Sequence, residues 1–476
     1  MTNPLHTLDI SIIAVYLILC LIIGFYKIPK IRNIRDYTIG GKYITLQMLA
    51  GTLLATHIGA GATVGSIEKI HSMRAIFASV LILEPFIWIT TCFVYAKRIE
   101  TYKEAGCISL SDMMEYSYGI RARWITNIMA KVVGLAIIAM QILAIGYLLS
   151  YYLNISEEQG AMIGFGVIVL YSAFGGIRAI MITDMFQAAV LYIGIPAACF
   201  AGYADVGGYD GIIEQIPSKY LGFELTKSNI ILFLSMLVWT LIPFSHGAFV
   251  QRFLMANNNE QVWKVGKTLF FLNLPISIVV IVIGYIVKVK APDINPNVAF
   301  YYLIDHYLPI GIKGLVITGI LAAIMSTADS WLNTASVVWA HDVIKKLFPK
   351  ISDFQEVFIA RIAVIAIGFL AAVLAFMKPE SVMAMDWLAC SLWEPIVFVP
   401  LMAGLYGYKF SSTSHLTSVV FGVLFALAGA YYTAYGTDEI LTFDTESLCT
   451  GLIGSTMGML LGKYLTNFRN DREVIV

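Results

Sequence analysis

Residues Leu315–Ile344 read L-V-I-T-G-I-L-A-A-I-M-S-T-A-D-S-W-L-N-T-A-S-V-V-W-A-H-D-V-I. The stretch is apolar enough for a membrane-spanning helix and exceeds the roughly 20 residues a bilayer requires. Its middle nevertheless holds Ser326, Thr327, Asp329, Ser330, Asn333, Thr334 and Ser336. At the helical period Ser326, Asp329, Ser330 and Asn333 share one face, and Thr327 borders it. An ionised Asp in hydrocarbon is costly, so this face must meet a partner, water or a bound ion. Hydroxyls beside a carboxylate supply the oxygen ligands that a small hard cation takes. The plainer reading has the hydroxyls holding helices together and the Asp paired with a base. The stretch itself contains no Lys or Arg.

The rest of the chain fits that setting. Of 476 residues, 59% are hydrophobic and 13% charged, and the mean hydropathy is +0.79. Such a composition predicts an all-α polytopic membrane protein. Equal numbers of acidic and basic residues leave no basic excess for nucleic acid. The six Cys are scattered and form neither a disulfide nor a zinc framework. H-E-x-x-H, G-x-S-x-G and G-x-x-x-x-G-K-[ST] are absent, so the reading is not an enzyme and no cofactor is expected. A channel or a transport-derived sensor is the rival class. It lacks support because there is no repeated selectivity loop and no appended signalling region.

Apolar runs predict about 13 transmembrane helices. They fall near 8–26, 45–67, 75–97, 124–152, 159–176, 180–203, 228–256, 267–289, 311–345, 355–376, 382–407, 413–435 and 447–465. With the N-terminus outside, about 22 Lys and Arg fall in loops on the inner side and about 8 on the outer side. The inner set includes Lys27, Lys30, Arg32, Arg35, Lys42, Arg121, Arg123, Arg178 and Arg252. This bias predicts a multi-pass protein of the plasma (cell inner) membrane with a cytoplasmic C-terminus.

Two helices carry breakers at mid-depth. Ala50–Gly65 contains Gly51, Gly59, Gly61 and Gly65, and Trp239–Phe253 contains Pro243 and Gly247. Each opens a set of five helices, 45–203 and 229–407, which predicts one integral domain built as an inverted five-plus-five repeat. Residues 8–26 form an extra N-terminal helix, and 413–465 hold two more helices. Interrupted helices in corresponding positions point to a transporter site, because freed backbone groups must line a cavity. His57 and His246 sit at the two breaks. With Gly59, Trp239 and Phe244, and with Glu84 nearby, they make the candidate solute pocket; Trp88 and Phe249 are further aromatic candidates. Glu84 and Glu394 each precede a Pro. They read either as protonated carboxyls bonded to backbone freed by that Pro, which is preferred, or as groups that meet a solute amine or another polar group. Asp184 reads as a surface ion pair with Arg178, or as a second cation ligand or a step in cation exit to the cytoplasm.

Several stretches, taken together, resemble the sodium:solute symporter family. They are Arg35-Asp36-Tyr37-x-x-Gly40-Gly41; Tyr171-x-x-x-Gly175-Gly176-x-x-Ala179 with Thr183-Asp184-x-x-Gln187; Gln251-Arg252-Phe253; and Ala322 through Ser330. The resemblance implies a leucine-transporter-like fold with discontinuous first and sixth core helices. It implies a sodium site made by the backbone carbonyls of Ala55, Ile58 and Ala323 and the hydroxyls of Ser326 and Thr327. It also implies a second cation set at Asp184, Asp329 and Ser330, together with Ser326. Sialic acid-type relatives carry a hydroxyl where this chain has Asp329. Ala248 stands where the sugar-transporting group has a gating Tyr, which argues against a sugar. The expected function is secondary active transport, with inward sodium flow driving uptake of a small organic solute. The best guess is an amino acid such as proline or another small zwitterion; a carboxylate, betaine or sialic acid-like solute, or proton coupling, is the alternative. Sodium, the solute and the lipid bilayer are the expected partners, and the oligomeric state is open.

Overall fold

The computed structural model describes residues 5–25, 31, 33–40, 44–217, 220, 222, 226–377, 382–434 and 445–473. Lys27, Lys30, Arg32 and Lys42, used above for topology, lie outside the described residues. The described residues contain helices and no strand. Among the described residues nine helices are long and apolar enough to cross a membrane, or ten if one bent pair counts as a single span. The expected 13 is reached only by further division. The helix Glu157–Asp205 is split by non-helical backbone at Gly176. Lys227–Leu241 and Gly247–Met255 must count as one broken span, and Thr445–Glu473 as another. Length and hydropathy alone do not fix that number.

The helix Ile312–Val337, which continues as π-helical turns over Val338–Lys345, forms the centre of the molecule. It is the most enclosed of the candidate spans, with 94% of its apolar window buried. Two features of the sequence let it sit so deep. Gly319 packs against Gly194 of the Glu157–Asp205 helix, where a Cβ on Gly194 would fall 2.8 Å from the Leu315 carbonyl. Small residues at such a crossing let two backbones approach closely. Its N-terminus has no side-chain cap of its own; Gly311 there has φ +86°. Asp9 Oδ1, on the first helix Thr7–Phe25, instead accepts from Gly311 N at 2.7 Å and Gly314 N at 2.8 Å. A carboxylate at this end satisfies orphan amides and complements the helix dipole.

Both expected breaks are present. The helix Leu46–His57 ends at Ile58, and the chain turns through 61° before resuming at Gly61. The helix Lys227–Leu241 ends at Ile242, and Ser245–His246 precede a new start at Gly247. Pro243, which cannot donate a helical hydrogen bond, lies inside this second gap.

Two basic residues assigned above to loops are buried. Arg252 belongs to the helix Gly247–Met255 and has no exposed surface, and Arg123, near the start of Ile120–Leu153, is 1% exposed. Each meets a carboxylate from a distant part of the chain, which offsets part of the cost of leaving water.

Candidate functional site

The first break lies against the hydroxyl face of the central helix. Ser326 Oγ donates to the Ala55 carbonyl at 2.8 Å and is 3.1 Å from the Ala323 carbonyl. Thr327 Oγ1 is 3.1 Å from the Thr56 carbonyl and 3.2 Å from the Ala323 carbonyl. Ile58 caps the same helix end and is 1% exposed. The structure thus brings Ala55, Ala323, Ser326 and Thr327 together, with Ile58 beside them. Thr56 joins them, although nothing in its sequence context singles it out. At Gly59 an added Cβ would lie 2.6 Å from Thr327 Oγ1, so a side chain there would fill the cradle. The donor set is neutral and all oxygen, which suits a monovalent hard cation: the hydroxyls would rotate their protons away and present lone pairs.

Asp184, Asp329 and Ser330 also come together, but around a side chain that the sequence reading had placed in a loop. Arg252 donates from Nε to Thr52 Oγ1 at 2.9 Å, from Nη1 to the Ala248 carbonyl at 2.8 Å, and from Nη2 to Ser330 Oγ. Its Nη2 is 3.6 Å from Asp184 Oδ2, which also accepts from Thr52. Asp329 accepts from the Tyr171 hydroxyl at 2.6 Å and from Ser330 Oγ at 3.2 Å. The surface pairing of Asp184 with Arg178 is therefore corrected. Asp184 is fully buried and faces Arg252, while Arg178 donates to the Gly40 carbonyl. Asp184 meets the guanidinium directly and Asp329 reaches it through Ser330 Oγ; Asp184 Oδ1 has no hydrogen-bond partner among the described residues.

The solute candidates separate into two clusters. His57 Nε2 meets Glu84 Oε1, and its ring packs edge-on against Trp88 and Phe244, with centroids 5.3 and 5.2 Å away. Phe244 stacks on Phe249 at 4.1 Å. Glu84 is further held by Asn273 Nδ2 and by Ser277 Oγ at 3.2 Å. His246 lies parallel to Trp393 at 5.3 Å and edge-on to Trp331 at 5.3 Å. Its Nε2 faces Glu394 Oε1 across 3.8 Å. Among the described residues neither glutamate side chain bonds to backbone freed by its proline, which corrects the preferred reading; both meet other polar side chains. Trp239 does not join this enclosed group. It lies on Lys227–Leu241 with 37% of its surface exposed, and the enclosing indoles are Trp88, Trp331 and Trp393.

A narrow cleft runs from Trp331 and Trp393 past Gly247 and Thr334 toward Ser109 and Ser111. Beyond it lies an ionic cluster. Arg123 bridges Asp112, Glu115 and Asp342, the last at 2.8 Å, and Ser109 Oγ donates to Asp342 at 2.8 Å. His341 reaches Glu356 at 2.8 Å and Asp112 at 3.5 Å. Burial alone would raise the Asp112 carboxyl. The hydrogen bond and charge of His341, and then Arg123, hold it well below the usual carboxylate range. Asp112, His341 and Asp342 have the spacing of metal ligands, but Arg123 already supplies their positive charge.

Sequence reasoning did not find Thr52, Thr56, Asn273, Trp331, Trp393 or the placement of Arg252. The usable signal was Arg252 itself, because a helix that restarts inside the membrane places its second turn far from water. Tyr171 was seen as part of a motif, but its bond to Asp329 requires two helices to meet.

A family model described as the sodium:solute symporter family matches residues 37–422. The high-affinity proline transporter PutP of Bacillus subtilis (strain 168) is 25% identical over 380 residues, covering 77% of this chain and 80% of that protein. The sodium/pantothenate symporter of Escherichia coli (strain K12) is 23% identical over 465 residues, covering 93% and 95%. A solved Na+-coupled sialic acid symporter, substrate-bound and outward-open, superposes with a TM-score of 0.83 at 19% identity, covering 97% of this chain and 98% of that one. The helical architecture described above is shared with it.

Proposed function

This chain belongs to the sodium:solute symporter family, and from that premise we propose that it drives uptake of a small zwitterionic solute, such as an amino acid of the proline type, with inward sodium flow. The carrying observation is the convergence of the Ala55, Thr56 and Ala323 carbonyls on the Ser326 and Thr327 hydroxyls. Sodium held there, with the Ile58 carbonyl completing the set, ties the broken helix Leu46–His57 to the central helix. An ion that binds one arrangement of these two helices better than the other shifts the population between them, and that difference is what couples the ion to the solute. The solute lies between the two breaks, beside His57 and His246. Orientation follows the positive-inside bias, with the N-terminus outside. Asp184, Asp329 and Ser330 form the second cation set, in which Arg252 supplies one positive charge and leaves one carboxylate for a further cation.

The test uses purified protein in detergent micelles. Sodium chloride, against choline chloride at equal ionic strength, raises the thermal unfolding midpoint. The Ser326→Ala/Thr327→Ala double variant loses that response and, in membrane vesicles, needs several-fold more sodium for half-maximal uptake of labelled L-proline or another solute of the panel. An unchanged sodium response in the double variant removes these ligands from the proposal.

A further inference from the structure

The two buried glutamates beside the helix breaks differ in what they leave free. Glu84 has three side-chain donors on its two oxygens: His57 Nε2, Asn273 Nδ2 and Ser277 Oγ. Glu394 is 6% exposed and has one. The Trp393 indole N–H donates to Ser245 Oγ at 2.8 Å, and Ser245 Oγ in turn donates to Glu394 Oε2 at 2.8 Å. This relay fixes the carboxylate and commits one oxygen. The other oxygen, Oε1, makes no hydrogen bond among the described residues and faces His246 Nε2 at 3.8 Å. That nitrogen is itself buried and unpartnered. A nitrogen so enclosed is costly unless something satisfies it. No Lys or Arg among the described residues pairs with Glu394.

We propose that Glu394 Oε1 and His246 Nε2, flanked by the indoles of Trp331 and Trp393, form the subsite for a protonated amine of the solute. The inference rests on the symporter reading above and names the group the pocket recognises. Charge favours a cation: a buried carboxylate with no Lys or Arg paired to it among the described residues lacks a positive partner. The two indoles packed on His246 put aromatic rings next to the pair, and such rings attract an ammonium that reaches their faces. Geometry favours at least two N–H groups on one nitrogen. A tetrahedral nitrogen about 2.8 Å from each of two acceptors places those acceptors about 4.6 Å apart. The observed 3.8 Å opens to that distance by a small rotation of either side chain. With its proton on Nδ1, His246 accepts one N–H, and Glu394 accepts the other. Trp331, Trp393 and Gly247 line a small cavity next to the pair. A quaternary amine has no N–H to offer, and a carboxylate at this point would meet Glu394.

The experiment measures solute-induced shifts of the unfolding midpoint of the purified protein in saturating sodium. The probes are the twenty common amino acids, N,N-dimethylproline betaine, and tetrahydrofuran-2-carboxylate, in which an ether oxygen replaces the ring nitrogen of proline. The expected result is that at least one N–H-bearing amine stabilises the protein, and that the betaine and the ether bind at least about tenfold more weakly. Glu394→Gln weakens the stabilising amine by about tenfold or more; Glu394→Asp, which keeps the charge, retains part of the binding and serves if the Gln variant does not fold. The inference is overturned if no amine binds, if the betaine or ether matches the amines, or if Glu394→Gln binds the amine as tightly as the parent. Sodium-induced stabilisation of the parent protein, read without solute, separates these outcomes from failure of the symporter reading itself.

Discussion

The guanidinium of Arg252 lies 3.6 Å from the carboxylate of Asp184, and neither side chain has exposed surface. They come from different helices, one restarting after a break and one beginning after the Gly176 kink. Removing one member of such a pair leaves an uncompensated buried charge, which typically costs about 3–5 kcal/mol. Asp184→Asn and Arg252→Gln should therefore each lower the unfolding midpoint sharply. The double variant should be less destabilised than the sum of the two, and a double-mutant cycle on thermal unfolding measures the difference. Strict additivity would mean that the two side chains do not sense each other.

Gly59 and Gly61 provide an internal comparison at the first break. A Cβ on Gly59 would fall 2.6 Å from Thr327 Oγ1, whereas a Cβ on Gly61 would meet nothing within 4 Å. Gly59→Ala should displace Thr327, cost about 1–3 kcal/mol in overpacking, and abolish the sodium-induced thermal shift. Gly61→Ala should keep it. Equal responses from the two variants would show that the Thr327 hydroxyl is not a ligand.

Glu84 should behave as a structural acid. Its oxygens are taken up by His57, Asn273 and Ser277. Glu84→Gln turns one acceptor into a donor among these groups and should cost about 1–3 kcal/mol of stability. The ranking of solutes in the thermal-shift panel should stay the same. A change in that ranking would move Glu84 into the solute pocket.

The ionic cluster around Arg123 should show itself in acid. The Asp112 carboxyl is depressed in the folded protein by His341 and Arg123, against its burial. Its contribution to stability is therefore fully present above the unfolded carboxyl pKa of about 4 and is lost as pH falls through the lower folded value. The midpoint difference between the parent and Asp112→Asn should be largest near neutral pH and shrink progressively below about pH 4. A difference that stays constant over that range would mean Asp112 is not ionised in the cluster.

Much of the architecture was legible from residue patterns because membrane insertion imposes hydropathy directly. Runs such as 8–26 and 355–376 have few alternatives once the backbone must satisfy itself in hydrocarbon. The two breaks were legible for the same reason: Gly and Pro at mid-depth are tolerated only where something replaces the lost hydrogen bonds. The hydroxyl face of the Ser326 helix could be read from its period alone. Less legible was the fate of charge. Arg252 and Arg123 follow apolar runs and look like loop residues, yet each is buried because acids far along the chain wait for it. Trp239 looked like a pocket residue from its closeness to His246 in sequence, but the break at Ile242–Ser245 turns the chain, and Trp393 takes the place beside His246.

By itself the sequence determined that this is a membrane-spanning helical protein with two interrupted helices and a polar stripe of oxygen ligands, because periodicity and the cost of exposed backbone in lipid act locally. Only the tertiary structure decided which polar atoms remain available. Glu84 and Glu394 have the same Glu-Pro signature. One is saturated by Asn273 and Ser277 of a neighbouring helix, and the other is left half free against His246. Hydrogen bonding is short-ranged and directional, so that distinction exists only once the helices have met.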